Sequence, residues 1–216
     1  MSRQIVVLLG PPGAGKGTLA ARLSARLALP HVSTGELFRS AVRNQTDLGR
    51  QVGEILSSGR LVPDELTNQI VRERLDEADC ADGALMDGYP RTTAQVVALD
   101  DFAPVRSVLS LLIGDAEIVR RLSGRLTCST CGAIYHTAHH PPAKPAVCDN
   151  CGSKLATRAD DQPDAVAERV RVYHAQTEEL EALFRERGVL REVDATVSAD
   201  EVLESSLVML GAVTPS

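Results

Sequence analysis

The chain of 216 residues contains no tryptophan and only three phenylalanines and three tyrosines. Surfaces that stack nucleic-acid bases interleave aromatic with basic residues, so this scarcity counts against a nucleic-acid-binding protein. Lysine is also scarce, occurring only at positions 16, 144 and 154, while arginine supplies the rest of the positive charge. The net charge of −6 argues against a general nucleic-acid or anionic-membrane surface. No apolar run approaches the roughly 20 residues of a membrane span, and Ile5 to Leu9 is short for the apolar region of a secretory signal. The expectation is a cytoplasmic protein with reduced thiols, without internal repeats or low-complexity tracts. Its 44% hydrophobic and 24% charged content fits one substantial core carrying small inserted subdomains.

Against so little lysine, Lys16 stands out. It lies in Gly10-Pro11-Pro12-Gly13-Ala14-Gly15-Lys16-Gly17-Thr18, directly after the apolar run Ile5 to Leu9. Leu19, Leu23 and Leu27 follow at helical spacing, which makes the order strand, loop, helix. A glycine-rich turn in that setting gathers backbone N–H groups around an anion, and the helix dipole adds partial positive charge. Gly10, Gly15 and Lys16 meet the G-x-x-x-x-G-K spacing of a nucleotide phosphate loop. The position after the lysine, where that motif places Ser or Thr, is Gly17, with Thr18 one place later.

Short apolar runs at Ile5 to Leu9, Leu85-Met86, Val108 to Ile113, Leu190 to Val193 and, more weakly, Pro30 to Ser33 read as strands. They alternate with helical patterns, which predicts an α/β fold whose parallel five-stranded sheet carries helices on both faces. Leu203, Leu207 and Leu210 form one core stripe after Ser198 and Glu201 in capping-box spacing. Val166, Val170, Tyr173, Thr177, Leu180 and Phe184 form another, also read as core packing. Two stretches break the alternation: a mostly helical one at residues 34–61 and a Pro-, His- and Cys-containing one from Thr127 to Leu155, within bounds set at 124–161. The core then comprises residues 1–33, 62–123 and 162–216.

In the second insert, Cys128-x-x-Cys131 is followed after sixteen residues by Cys148-x-x-Cys151, each pair with a glycine behind it, Gly132 and Gly152. Two such knuckles place four thiolates around one soft ion. Zinc is the expected metal, although iron fits the same sulfur set. Four thiolates leave no open position, so the site reads as structural, stapling an insert too small for its own core. His136, His139 and His140 read as loop residues, and Cys80 as a buried apolar thiol.

Arginines mark the borders of the inserts. Asp87-Gly88-Tyr89-Pro90-Arg91-Thr92 follows a strand, at the carboxyl edge where α/β sheets bind ligands. Ser33-Thr34-Gly35-Glu36-Leu37-Phe38-Arg39 opens the first insert, with Ser33 and Glu36 in capping-box spacing. Gly124-Arg125 enters the second, and Arg158-Ala159-Asp160-Asp161 leaves it, with Arg169 on the helix beyond.

Taken with GRLVPDEL at 59–66 and IYH at 134–136, these motifs span nearly the whole chain and closely resemble adenylate kinase, in the long-lid form whose lid carries a structural zinc. Gly17-Thr18 is itself what that family shows after its lysine. The resemblance implies a phosphate-loop core with an AMP-binding insert at 34–61 and a zinc-stapled lid at 124–161. It implies ATP contacts at Gly13, Ala14, Gly15, Lys16, Gly17, Thr18, Arg125, Ile134, Tyr135 and Val197, the last through its carbonyl. AMP contacts fall at Thr34, Arg39, Arg60, Leu61, Val62, Gly88, Tyr89, Pro90, Arg91 and Gln95. Arg158 and Arg169 match the pair that reaches the transferring phosphates, and Asp87 the carboxylate that orders hydrated Mg²⁺. Departures occur at Leu126, where a second arginine is common, at Pro163-Asp164, and from Glu179 to Phe184.

The implied activity is reversible phosphoryl transfer from MgATP to AMP, giving two ADP, by a monomer that uses neither nucleic acid nor membrane. Such a transfer needs positioning and charge neutralisation, here from Lys16, Arg91, Arg125, Arg158 and Arg169, and neither a covalent intermediate nor a strong base. Two mobile inserts closing over the nucleotides, hinged near Gly124 and Asp160-Asp161, would exclude water. The alternatives are a kinase of other base preference, GTP:AMP or UMP/CMP, and a zinc-knuckle nucleic-acid-binding module.

Overall fold

The apolar runs at the two ends of the chain and between its helices meet as five parallel strands. The computed structural model describes residues 3–212; residues 1–2 and 213–216, the outer ends of the expected core segments, lie outside the described residues. Strands β1 (Gln4–Leu9), β2 (His31–Ser33), β3 (Gly83–Asp87), β4 (Val105–Leu112) and the strand near the C-terminus, Leu190–Asp194, lie in the order β2-β3-β1-β4 with Leu190–Asp194 at the far edge. All pairings are parallel. Helices cover both faces, which is why the inner strands β1 and β3 are buried on both sides rather than alternating. Ile5, Val7 and Leu9 join one buried cluster with Met86, Val108, Leu180 and Phe184. Val6 and Leu8 point the other way, into a cluster with Leu19, Leu23, Leu203 and Leu207. Register pairs Leu8 with Asp87, Ser33 with Asp87, and Leu112 with Asp194, so the strands' carboxyl ends share one edge.

Helices α1 (Lys16–Leu27), α2 (Thr34–Arg43), α3 (Asp47–Ser57), α4 (Asp64–Leu75), α5 (Thr93–Phe102) and α6 (Asp115–Ser123) follow in chain order. Helices α2 and α3 belong to the first insert and share a small core of Phe38, Val52 and Val62. The Ser33–Glu36 capping box does not form: Ser33 is the N-cap residue of α2, but its side chain makes no cap bond. Glu36 instead accepts from Arg39 Nε (3.2 Å) and Arg43 (2.7 Å), charge-assisted partners that outcompete a neutral backbone N–H. Gly59, at the end of this insert, has φ +78° and lies hard against the helix that carries Arg169. A Cβ there would sit 2.6 Å from the Ala165 carbonyl oxygen and 2.9 Å from Arg169 Cγ.

The second insert has no helical period because it is a small antiparallel sheet, β6 (Ile134–His136) beside β5 (Arg125–Cys128) beside β7 (Leu155–Ala156). Its core is Cys128, Tyr135, Cys148 and Leu155, with Leu126 packed against it. Leu126 thus occupies an apolar niche, which accounts for the missing arginine. Pro163 opens helix α7 (Pro163–Val172) in the first turn, where its missing N–H costs nothing. A π-turn, Tyr173–Thr177, joins α7 to α8 (Glu179–Glu186); the strand Leu190–Asp194 is β8 and is followed by α9 (Ala199–Met209). The capping box expected at Ser198 and Glu201 is formed in both directions. The 166–184 stripe is only partly core packing: Leu180 and Phe184 are fully buried, whereas Tyr173 and Thr177 border the cleft described next.

Candidate active site

A cleft of about 1510 Å³ opens above the carboxyl ends of the strands, between the two inserts. Its floor is the glycine-rich loop between β1 and α1. Gly10 lies at φ +130°, and a Cβ there would sit 2.7 Å from the Leu111 carbonyl oxygen, so the turn tolerates no side chain. Lys16 Nζ donates to the Gly10 and Pro11 carbonyls, at 2.7 and 2.8 Å. Burial lowers its pKa to about 7, opposed by Asp87 and reinforced by Arg91, Arg169 and Arg125. Gly17 leaves room where the general motif has a hydroxyl: a Cβ at 17 would begin 3.5 Å from Asp87 Oδ2 and 4.0 Å from Ile134 Cδ1. Ile134 of the second insert therefore reaches over the loop.

Asp87 ends β3 beside this loop, and its Oδ2 is 3.2 Å from His31 Nε2. Burial works against its ionisation, but the His31 bond and the Lys16 charge prevail and hold its pKa below the usual carboxylate value. An ionised carboxylate beside an uncrowded loop is a donor set that suits a hard, hydrated divalent cation. His31 was not singled out by sequence; a residue opening a three-residue strand gives no periodic signal.

On the side of the first insert, Arg91 is held by its loop: Nε donates to the Gly88 carbonyl (2.8 Å) and N–H to Gln95 Oε1 (2.7 Å). Gln95 Nε2 in turn donates to Asp64 Oδ1 (2.7 Å). Thr34 donates to the Gly88 carbonyl at 2.8 Å. Gly88, Pro90, Arg91, Leu61 and Arg39 line the cleft. Thr34, Tyr89, Gln95 and Val62 are buried beneath its wall, and Arg60 is an exposed residue bonded to Ser58 Oγ (2.9 Å).

Arg125, Arg158 and Arg169 converge from three elements. The fully buried carboxylate of Asp161 accepts from Arg125 through Nε at 2.7 Å and through Nη2, and from Arg169 at 3.0 Å. Arg169 also pairs with Asp160 (3.1 Å), and Arg158 Nε donates to Thr127 Oγ1 (2.9 Å). The two aspartates expected as hinge residues are thus the anchors of the arginine cluster. Burial first and neighbouring cations second lower Arg91 and Arg158 to about 10; the cation with the largest effect is Arg169 for Arg91 and Arg39 for Arg158. Burial disfavours ionised Asp160, yet Arg169 and the surrounding arginines hold its pKa low. A site that crowds Lys16, Arg39, Arg91, Arg125, Arg158 and Arg169 around one space is built for a polyanion.

Farther along the cleft lie Tyr135, Val197 and Arg121, the last bonded to Glu117 (2.8 Å) and to the Ala195 carbonyl (2.8 Å). Arg120 of α6 donates to His139 Nε2 of the second insert at 2.6 Å. His136 Nδ1 accepts from the Ala138 and His139 N–H groups, and the His140 ring stacks on Tyr135. The histidines therefore brace the second insert, and none joins the cysteine cluster among the described residues.

The four cysteine sulfurs lie within 4.8 Å of one another, with Cys128 to Cys151 at 3.4 Å and Cys131 to Cys148 at 3.5 Å. Bonds of about 2.3 Å at tetrahedral angles imply sulfur separations of about 3.8 Å, so the cluster fits zinc. Gly132 and Gly152, at φ +76° and +74°, close the two knuckles by donating to the Cys128 and Cys148 carbonyls. Cys80 departs from a purely apolar reading: it is buried in the main core but accepts from Arg74 at 3.0 Å.

Comparison with known proteins agrees with this architecture. A family model described as adenylate kinase matches residues 8–189. A protein of Moorella thermoacetica named adenylate kinase is 46% identical over 203 residues, covering 92% of this chain and 94% of its own length. Proteins of the same name from Lachnospira eligens and Treponema denticola are 42% and 43% identical, over 95% and 92% of this chain and 99% and 95% of their own lengths.

Proposed function

The chain belongs to the adenylate kinase family and is a phosphotransferase acting on a nucleoside monophosphate, and from that premise we propose that its cleft carries MgATP and AMP to two ADP. The convergence of six cationic side chains over one glycine-rich loop carries this reading. Phosphoryl transfer passes through a loose transition state with charge spread over several oxygens, so positioning and neutralisation do most of the work.

In this reading the loop from Gly13 to Thr18, with Lys16, holds the donor phosphates, and Arg125, Ile134, Tyr135 and the Val197 carbonyl close over the donor nucleotide. Arg39, Arg91, the backbone of residues 60–62 and Gly88 to Pro90 hold the acceptor. Thr34 and Gln95, packed behind that wall, shape it. Arg158 and Arg169 span the transferring group, and planar guanidinium forks suit its oxygens. Asp87 would hold Mg²⁺ through water, where the ion's positive charge would offset that of the donor phosphates. Cys128, Cys131, Cys148 and Cys151 would hold Zn²⁺ as a closed structural site that stiffens the lid. Closure of the 34–61 and 124–161 inserts over both substrates keeps water from serving as acceptor. A monomer acting in the cytoplasm agrees with this reading, and no described helix is long and apolar enough to cross a membrane.

The test is to mix the protein with ATP, AMP and Mg²⁺ and follow phosphorus resonances. Two ADP form per ATP consumed, Lys16→Ala abolishes turnover, and UMP, CMP or GMP in place of AMP, or GTP in place of ATP, reacts far more slowly. Failure to form ADP, or equal rates with the pyrimidine monophosphates, overturns the proposal.

A further inference from the structure

The helix that follows the second insert is interrupted where the sequence pattern asks for no interruption. Between α7 and α8 the backbone takes one π-turn, Tyr173–Thr177. Such turns are rare and are frequently found at functional sites. This one has two hydroxyl residues at its ends. Thr177, buried, donates through Oγ1 to the backbone carbonyl of Arg91 at 3.2 Å. Tyr173 donates through its phenol to Glu181 Oε1 at 3.0 Å, and Ser110 of β4, fully buried, donates to the same oxygen at 2.7 Å.

A valine at 177 would fill a helix stripe as well as threonine does, so the hydroxyl answers a different need. Arg91 is fixed at three points: its N–H by Gln95, its Nε by Gly88 and its carbonyl by Thr177. None of the three takes the terminal guanidinium nitrogens. Glu181 needs a reason too, because a half-buried carboxylate is costly when its partners are hydroxyls rather than a cation. Its two bonds tie the turn to the central sheet through Ser110, one strand away from the phosphate loop.

We infer that Thr177 is a positioning residue for Arg91, and that Tyr173, Glu181 and Ser110 anchor the turn from which it reaches. The inference rests on the phosphotransferase reading above. Small misplacements of a transition-state contact cost rate far more than they cost binding. Thr177→Val therefore lowers kcat about tenfold, the expected scale for losing one hydrogen bond at such a site, with each KM changed less than twofold. Thr177→Ser restores kcat to within about twofold of the parent. In an Arg91→Ala background, Thr177→Val has almost no further effect, because the group it positions is gone. Tyr173→Phe lowers kcat in the same direction by a smaller factor.

The experiment measures kcat, both KM values and thermal melts for these variants and for the double mutant. Three results each overturn the inference: unchanged kcat in Thr177→Val, a serine variant no better than the valine one, or equal losses in the parent and Arg91→Ala backgrounds. If Thr177→Val does not fold, the same cycle is run with Tyr173→Phe, and additivity there overturns it as well. A parent protein that makes no ADP defeats the phosphotransferase reading instead, whereas normal parent turnover with an additive cycle defeats only this inference.

Discussion

Asp161→Asn keeps the shape of a side chain that holds two cleft arginines and removes its charge. The carboxylate is fully buried and takes two bonds from Arg125 and one from Arg169, so water does not replace what is lost. Breaking a buried ion pair costs about 3–5 kcal/mol. Asparagine retains one acceptor oxygen, which puts the loss near the lower end, about 3 kcal/mol. In a chain of this size each kcal/mol lowers Tm by about 2–4 °C, so the melt falls by roughly 6–12 °C. The freed guanidiniums line the cleft, and on the proposed function the same 3 kcal/mol taken from the transition state lowers kcat/KM on the order of a hundredfold. Calorimetric melts and steady-state kinetics on one preparation, assayed well below the variant's Tm, measure both losses. A variant whose Tm falls by less than about 2 °C and whose kcat/KM stays within about threefold of the parent refutes the anchoring role.

Further outcomes follow from other parts of the site. Lys16 is held at about 7 by burial against its usual value near 10.4, so between those limits the unfolded chain binds more protons. This group's penalty on folding is therefore full below pH 7 and is relieved as pH rises through the window. Donor phosphates beside the ammonium raise its pKa again, so ATP binding at pH 8 takes up protons; titration calorimetry in two buffers of different ionisation enthalpy measures this, and no uptake contradicts it. Cys128→Ser and Cys148→Ser lower Tm by several degrees and lower bound zinc below one per chain, while kcat at 25 °C changes by only about threefold or less; equal losses of stability and turnover argue against a staple. Asp64→Ala removes the acceptor of Gln95 Nε2 and of Thr92 Oγ1, at 2.7 and 3.0 Å, and raises KM for AMP with little change in KM for ATP; an equal rise in both counts against the assignment of that wall.

The sheet was legible because Ile5 to Leu9, Val108 to Leu111 and Gly83 to Met86 are buried on both faces, which makes these strands short continuous runs with little polar interruption. The second insert's sheet was not, because strands of two to four residues are too short to display a period of two. Cys128 to Cys151 needed no periodicity, since ligand spacing states the geometry directly. The Ser33–Glu36 pair failed for an energetic reason: Arg39 and Arg43, one and two turns on, offer Glu36 better partners than the backbone. Tyr173 and Thr177 were legible as a stripe but not as hydrogen-bonding residues, because a π-turn leaves no mark in the apolar pattern. His31, Asp160 and Asp161 act through partners more than fifty residues away or through a cluster folded from three segments, and spacing within a chain does not encode that.

Gly59 bears on how the two inserts meet. This residue lies two positions before the end of the first insert, against the Ala165 carbonyl and the Arg169 stem, and the chain leaving the second insert enters the same helix at Pro163. Helix α7 thus meets both inserts and carries Arg169, one of the arginines that line the cleft. A shift of the first insert is felt at Arg169 through the close approach of Gly59, and a shift of the second through the Arg169 ion pairs with Asp160 (3.1 Å) and Asp161 (3.0 Å), without a long relay through the sheet. On the proposed function, coupling between donor and acceptor would then depend on how closely one glycine lets two backbones approach.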